Sequence, residues 1–106
     1  MHSHDKVCDL NDSFRQTFGG GRVVVTAGIA DRPDLGGILD HVKRFTDFTH
    51  ANDPHGEHDF GAFDHEGEKL FWKIDYYNRT LTAGSSNPAD ETITTRVLTI
   101  ILAREY

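Results

Sequence analysis

Side chains that could hold a divalent metal ion lie close together in one short run of the sequence. His55, Glu57, His58 and Asp59 supply the imidazole and carboxylate ligands with which proteins hold zinc, manganese or iron. A metal bound there could activate water for hydrolysis. The spacing matches neither a helical HExxH motif nor an EF-hand, and on a strand Asp59 would point away from His58. The alternative is that these residues form the hydrogen bonds of a turn and otherwise face solvent.

Acidic residues are concentrated in the same part of the chain, residues 47–75. This segment has eight acidic and two basic residues, whereas the rest has nine of each, so the segment accounts for the formal net charge of −6. Such carboxylates could dock on a basic protein surface, with aromatic side chains as anchors at the edge. An ordinary solvated surface over an aromatic core is the alternative. The predicted partner-binding residues are Asp53, Glu57, Asp59, Asp64, Glu66, Glu68, Trp72 and Tyr77.

Length and composition predict a single soluble domain over residues 1–106 and exclude several classes of protein. No apolar run approaches the ~20 residues that cross a bilayer, so no membrane association is expected. The basic residues are scattered, which argues against direct binding of nucleic acid. The single cysteine, Cys8, and the lack of a signal-peptide pattern predict a cytoplasmic protein. The sequence has no Gly-x-Ser-x-Gly elbow, which argues against a hydrolase with a serine nucleophile. A non-enzymatic protein is favoured over an enzyme, as a monomer or a small homo-oligomer.

The clearest predicted helix spans residues 33–46. Asp31 is the expected N-cap, and Pro33 suits the first turn. One apolar stripe then recurs at helical spacing, at Leu35, Ile38, Leu39, Val42 and Phe45.

A short helix is predicted near the N-terminus, after a loose terminus at residues 1–8. It begins at Asp9 or Asn11, carries Phe14 on its apolar face, and ends at the glycines 19–21.

The remaining pattern predicts strands. Residues 23–26 form the first strand, and residues 60–64 and 69–77 form a β-hairpin. A short strand follows at residues 80–83. Residues 92–102 are rich in β-branched side chains on both alternations, which predicts a central strand, with a helix as the competing prediction. The expected fold is α+β, an antiparallel sheet with one long helix packed on a face and a short N-terminal helix.

Four blocks of the sequence resemble a family of small bacterial proteins of unknown function that plasmids and other mobile elements carry. The blocks are LNDSFRQTFGGGRVVVTAGI (10–29), NDPHGEHDFGAF (52–63), FWKIDYYN (71–78) and TTRVLTIILAREY (94–106). The resemblance implies no activity and no catalytic residues. It does imply a context, because small acidic proteins of mobile elements often blunt host defences.

The leading hypothesis is therefore a non-enzymatic inhibitor of a bacterial defence complex, anti-CRISPR or anti-restriction. Its partner would be a protein of a CRISPR or restriction complex with a basic surface, and no cofactor is expected. The alternative is a small metal-dependent hydrolase or metal-binding domain centred on residues 53–65, with a divalent transition metal as cofactor.

Overall fold

The structure, a computed structural model, describes residues 3–106 and the side chains from Asp5 onward. The elements are α1 (Ser3–Thr17), β1 (Arg22–Val25), α2 (Ala27–Ala30), α3 (Leu35–Lys43), β2 (Phe60–His65), β3 (Glu68–Tyr77), β4 (Thr95–Leu102) and a final 3₁₀ turn (Ala103–Glu105). They combine into an α+β fold with one four-stranded sheet, in the strand order β1-β4-β3-β2. None of the described helices is long and apolar enough to cross a membrane.

The sheet is mixed, so the prediction of an antiparallel sheet is wrong for one of its strands. β3 runs antiparallel to both β2 and β4, but β1 runs parallel to β4, with Arg22 opposite Val97. A parallel pair needs a long crossover between its strands, and here the chain from α2 to β3 provides it. The prediction that the C-terminal segment is a central strand is confirmed, because β4 lies between β1 and β3.

The predicted hairpin is confirmed, and its turn explains its register. Glu66 and Gly67 both have positive φ, 50° and 83°, as a two-residue turn between twisted strands requires. Phe63 therefore lies opposite Leu70, and Gly61 opposite Trp72.

The core lies between the helices and one face of the sheet. It combines helix residues with alternate residues of the two long strands, and burying each large side chain contributes about 1.5–3 kcal/mol. Gly61 gives the rings of Phe45 and Trp72 room to pack against the backbone of β2, since a Cβ atom there would lie 2.7 Å from Cζ of Phe45 and from Cε2 of Trp72. The buried cluster comprises Phe14, Ile29, Ile38, Val42, Phe45, Phe63, Leu70, Trp72, Ile74, Leu98, Ile100 and Leu102.

The opposite face of the sheet, called the open face below, keeps much of its surface exposed. Strand alternation places Phe60, Phe71 and Tyr77 there, all half-buried, and the side chain of Val24 is 45% exposed. The rings of Phe60 and Phe71 lie 5.6 Å apart. The sheet thus has one packed face and one face available to solvent.

The N-terminal helix is longer than predicted. Residues 3–8, expected to be a loose terminus, belong to α1, and Val7 is 4% exposed; residues 1 and 2 lie outside the described part. The buried side of α1 carries Val7, Asn11 and Phe14, so a polar residue interrupts its apolar stripe. Because of this interruption, the apolar pattern did not predict that the helix begins before Asp9.

Two other predicted elements need correction. The helix expected at residues 33–46 is shorter and consists of the nine residues of α3. Its N-cap position is occupied by Asp34 and not, as predicted, by Asp31. The Asp34 side chain pairs with Arg32 instead of capping the helix. Residues 80–83 form turns rather than a strand, with one isolated bridge from Tyr77 to Gly84.

Candidate functional site

His58 stands at the point where the loop at residues 52–59 meets α1. Its Nδ1 lies 2.9 Å from Oδ1 of Asp12 and 3.1 Å from Oδ2, and its Nε2 lies 3.5 Å from Oδ2 of Asp53. The imidazole stacks on the ring of Phe48, with centroids 3.7 Å apart and planes inclined by 2°. Packing and two carboxylates together fix the orientation of this ring.

The turn before His58 holds its backbone in an unusual conformation. His58 has φ 53°, in the left-handed region that few non-glycine residues adopt. Its N–H donates to Oδ1 of Asp53 over 3.2 Å, and the Asp53 side chain is only 6% exposed. Asn52 stabilises the same turn, because its Nδ2 donates to the backbone oxygen of Asp47. One buried carboxylate therefore positions both the backbone and the ring of His58.

Buried polar side chains of α1 attach the helix to this loop and to the sheet. Asn11, 0% exposed, donates from Nδ2 to the backbone oxygen of Glu57 over 2.9 Å and to the Tyr76 hydroxyl over 2.8 Å. Its Oδ1 accepts a hydrogen bond of 2.7 Å from Nε of Arg96. Arg15, 2% exposed, donates to Oδ1 of Asp12 over 2.9 Å.

Sequence reasoning missed the contribution of Cys8, Asn11, Asp12 and Arg15 to this site. The signal that could have found them is the polar residue within the apolar stripe of α1. A buried asparagine on a helix needs partners from elsewhere in the fold.

Negative charge accumulates around Cys8, whose Sγ lies 3.8 Å from Oδ2 of Asp12. Burial raises the pKa of the Cys8 thiol to about 11, and the nearby carboxylates of Asp12, Asp9 and Asp53 contribute to the rise. A thiol with so high a pKa stays protonated near neutral pH, so Cys8 is a poor nucleophile.

Carboxylates crowd on the loop side as well. Burial raises the pKa of the Asp59 carboxyl, and Glu57 and Asp53 raise it further. We call Asp9, Asp12, Asp53, Glu57 and Asp59 the acidic junction, since these residues bring the charge of α1 and of the loop together.

A second polar cluster lies near the hairpin turn. Nε and Nη2 of Arg32 donate to the two oxygens of Asp34 over 2.9 and 2.8 Å, which lowers the pKa of Asp34 to about 2. Glu68 accepts hydrogen bonds from Arg32 and, over 3.2 Å, from Arg104. His65 Nε2 lies 3.3 Å from Oδ2 of Asp34. Two arginines therefore neutralise much of the negative charge of this cluster.

The predicted partner-binding residues separate into several groups instead of forming one acidic face. Asp53, Glu57 and Asp59 belong to the acidic junction, while Glu68 pairs with arginines near the hairpin turn. Asp64 is exposed on the open face, which also carries the half-buried Tyr77, and Glu66 is exposed at the turn itself.

Trp72 is 0% exposed inside the core, so the sequence-based assignment of this residue as a partner anchor does not fit the fold. Its indole contacts Phe45 and Phe48 edge to face and serves the packing of the helices on the sheet.

Of the four predicted metal ligands, the structure places His58 in a group with other donor side chains. A ring nitrogen of His58, a carboxylate oxygen of Asp12 and Sγ of Cys8 all lie within 4.8 Å of one another. His55 is exposed, and Glu57 and Asp59 are half-buried. The grouping thus draws two of its three members from α1 rather than from the predicted run.

Comparison with known proteins assigns a family but no activity. The comparisons with curated proteins and with solved structures found no match. A family model described as a protein of unknown function, DUF3768, matches residues 25–105, which include the loop and strands β2, β3 and β4 and leave α1 and most of β1 outside the match. Because the match covers most of the chain, the protein belongs to the DUF3768 family.

Proposed function

We propose that the protein is a non-enzymatic binding domain that docks on a basic protein surface through the acidic junction. The observation that carries this proposal is the crowding of carboxylates from α1 and the loop around Cys8. Like charges brought together by folding destabilise the folded state, and a basic partner relieves that repulsion. Binding of a basic partner at the acidic junction is therefore expected to be favourable.

At the acidic junction an arginine offsets part of the negative charge from the buried side. Arg15 lies beneath it, 2% exposed, and bonds to Asp12 and to the backbone oxygen of Phe45. Asp9 is exposed on the outer side of α1. Exposed carboxylates of this kind steer a basic partner and accelerate its association.

We propose further that the partner belongs to a bacterial CRISPR or restriction complex, which the protein inhibits. Support comes from the resemblance of the sequence to proteins of mobile elements and from the acidic net charge of −6. Such complexes expose basic surfaces that otherwise bind nucleic acid, and an acidic protein can compete for them.

The test is binding to purified CRISPR effector and restriction complexes, together with their DNA cleavage in the presence of excess protein. Asp9→Lys should weaken binding about fivefold or more, as expected for reversal of an exposed ionic contact worth about 1 kcal/mol. The matched control is Asp31→Lys, another exposed carboxylate with the same change of net charge, located after α2. Binding should also weaken as salt is raised.

Two results would count against the proposal at different levels. Equal effects of Asp9→Lys and Asp31→Lys would contradict docking through the junction. Failure of the wild-type protein to bind any of the complexes or to inhibit their cleavage would contradict the proposed partner class.

The alternative of a metal-dependent hydrolase centred on residues 53–65 has weaker support. One of its four proposed ligands, His58, lies among donors that are close enough to share an ion.

A further inference from the structure

Three side chains of different chemical type converge where α1 meets the loop. Sγ of Cys8, a carboxylate oxygen of Asp12 and a ring nitrogen of His58 lie within 4.8 Å of one another. All three are partly buried, and the side chains of Asp12 and His58 are 29% and 27% exposed. Thiolate, carboxylate and imidazole are the three ligand types of protein zinc sites.

We propose that Cys8, Asp12 and His58 bind a divalent cation of the zinc class, with Cys8 Sγ, Asp12 Oδ2 and His58 Nδ1 as the ligating atoms. Nδ1 lies 3.1 Å from this oxygen, which lies 3.8 Å from Sγ of Cys8. The cation takes the place of the protons now held between these groups, and the thiol loses its proton on binding. Three protein ligands leave a fourth tetrahedral position for water.

Neighbouring side chains already orient the ligands as an outer shell would. Arg15 donates to Oδ1 of Asp12 over 2.9 Å, which leaves Oδ2 turned toward Cys8. Oδ2 of Asp53 lies 3.5 Å from Nε2 of His58, where it favours the tautomer with the proton on Nε2, so that Nδ1 presents a lone pair. Metal-binding histidines commonly use such a carboxylate to fix their tautomer.

The His58 ring is also held rigidly before any ion binds. Its stacking on Phe48 and the hydrogen bond from its backbone N–H to Asp53 restrict both ring and backbone. A ligand fixed in advance loses little conformational entropy on binding.

The cluster at the hairpin turn provides a comparison. Asp34, His65 and Glu66 also lie within ligand distance of one another. Both oxygens of Asp34 accept hydrogen bonds from Arg32, however, and a cation would have to displace that guanidinium. At Asp12 the arginine occupies one oxygen and leaves the other for the ion.

The test uses Co²⁺ as a spectroscopic substitute for Zn²⁺ in protein prepared without a histidine tag. The wild-type protein should bind one equivalent of Co²⁺, with the sulfur-to-cobalt charge-transfer absorption of a thiolate ligand, and Zn²⁺ should displace it. Cys8→Ser should abolish the charge-transfer band. His58→Asn should weaken binding strongly while preserving the turn, since asparagine tolerates the left-handed conformation. Asp53→Asn should lower affinity about 10- to 100-fold, as for other outer-shell changes.

Two control variants locate the ion. His65→Gln alters the hairpin cluster, and the double substitution His2→Ala with His4→Ala removes histidines that lie near Cys8 in the sequence. Both should bind Co²⁺ as the wild type does. Circular dichroism of each metal-free variant establishes that it is folded.

The proposal is overturned if the wild-type protein binds no Co²⁺ or Zn²⁺, if Cys8→Ser or folded His58→Asn binds as tightly as the wild type, or if a control variant abolishes binding. These outcomes are independent of docking on a basic partner, which is measured without metal.

Discussion

Substitution of Asn11 tests whether α1 is held on the domain by the buried hydrogen bonds described above. Asn11→Ala removes an acceptor for Nε of Arg96 and a donor to both the Tyr76 hydroxyl and the backbone oxygen of Glu57. Arg96 is 5% exposed, so solvent reaches its guanidinium poorly. The substitution therefore leaves buried polar groups without their partners.

The expected loss of stability follows from these three contacts. An unsatisfied buried polar group costs about 1–3 kcal/mol, and a charged one costs more. Glu57 and Tyr76 are both half-buried, so partial access of water lowers the free-energy cost of removing their hydrogen bonds to Asn11. We expect Asn11→Ala to lower the free energy of unfolding by about 3–5 kcal/mol, a large part of the roughly 5–15 kcal/mol of a typical domain.

Urea denaturation followed by circular dichroism measures this loss. Tyr76→Phe is the matched control, because it removes one of the three contacts and should cost about 1 kcal/mol. In the double variant the two effects should fall short of additivity, since both remove the same hydrogen bond. A loss of less than about 1 kcal/mol for Asn11→Ala would refute the view that these bonds attach α1.

Three further predictions concern packing, acid stability and thiol reactivity. Gly61→Ala should destabilise the domain by about 1–3 kcal/mol in thermal melts, because the added methyl group overlaps the Trp72 and Phe45 rings; an unchanged melting temperature would contradict this. The pKa of Asp34 is depressed to about 2 by Arg32, so its stabilising contribution is present above the unfolded value and is lost as pH falls toward 2. Asp34→Asn should therefore weaken the fall in the free energy of unfolding at acidic pH. If the variant and the wild type lost stability equally as pH falls, this role of Asp34 would be contradicted. The pKa of Cys8 is raised to about 11, so alkylation by iodoacetamide should be slow at neutral pH and accelerate into the alkaline range; a plateau below pH 9 would exclude the raised value.

The parts of the fold that local patterns encode were predictable from the sequence. The hairpin follows from alternation in Leu70, Trp72 and Ile74 together with a glycine at the turn, and all three side chains are buried, although Trp72 was predicted to bind a partner. The C-terminal strand follows from its β-branched residues on both alternations. Each of these signals involves neighbours within a few residues.

The arrangement of the candidate site was not predictable in this way, because its contacts join distant parts of the chain. His58 meets Asp12, which is 46 residues earlier, and Asn11 meets Arg96, which is 85 residues later. The concentration of acidic residues in the segment 47–75 could be recognised from composition. The contact of this segment with α1, however, depends on how the helix packs. The same holds for β1, whose parallel pairing with β4 no local pattern specifies.

The outer strands of the sheet bear on how the protein avoids aggregation. Among the described strands, β1 and β2 form the edges, and edge strands offer backbone groups to which another chain can add. β1 has only four residues and begins at the exposed Arg22. β2 has six residues and carries the exposed Asp64 near its end. Short length and charge at these edges disfavour the edge-to-edge addition of further molecules, so the exposed apolar side chains of the open face need not lead to fibrous assembly.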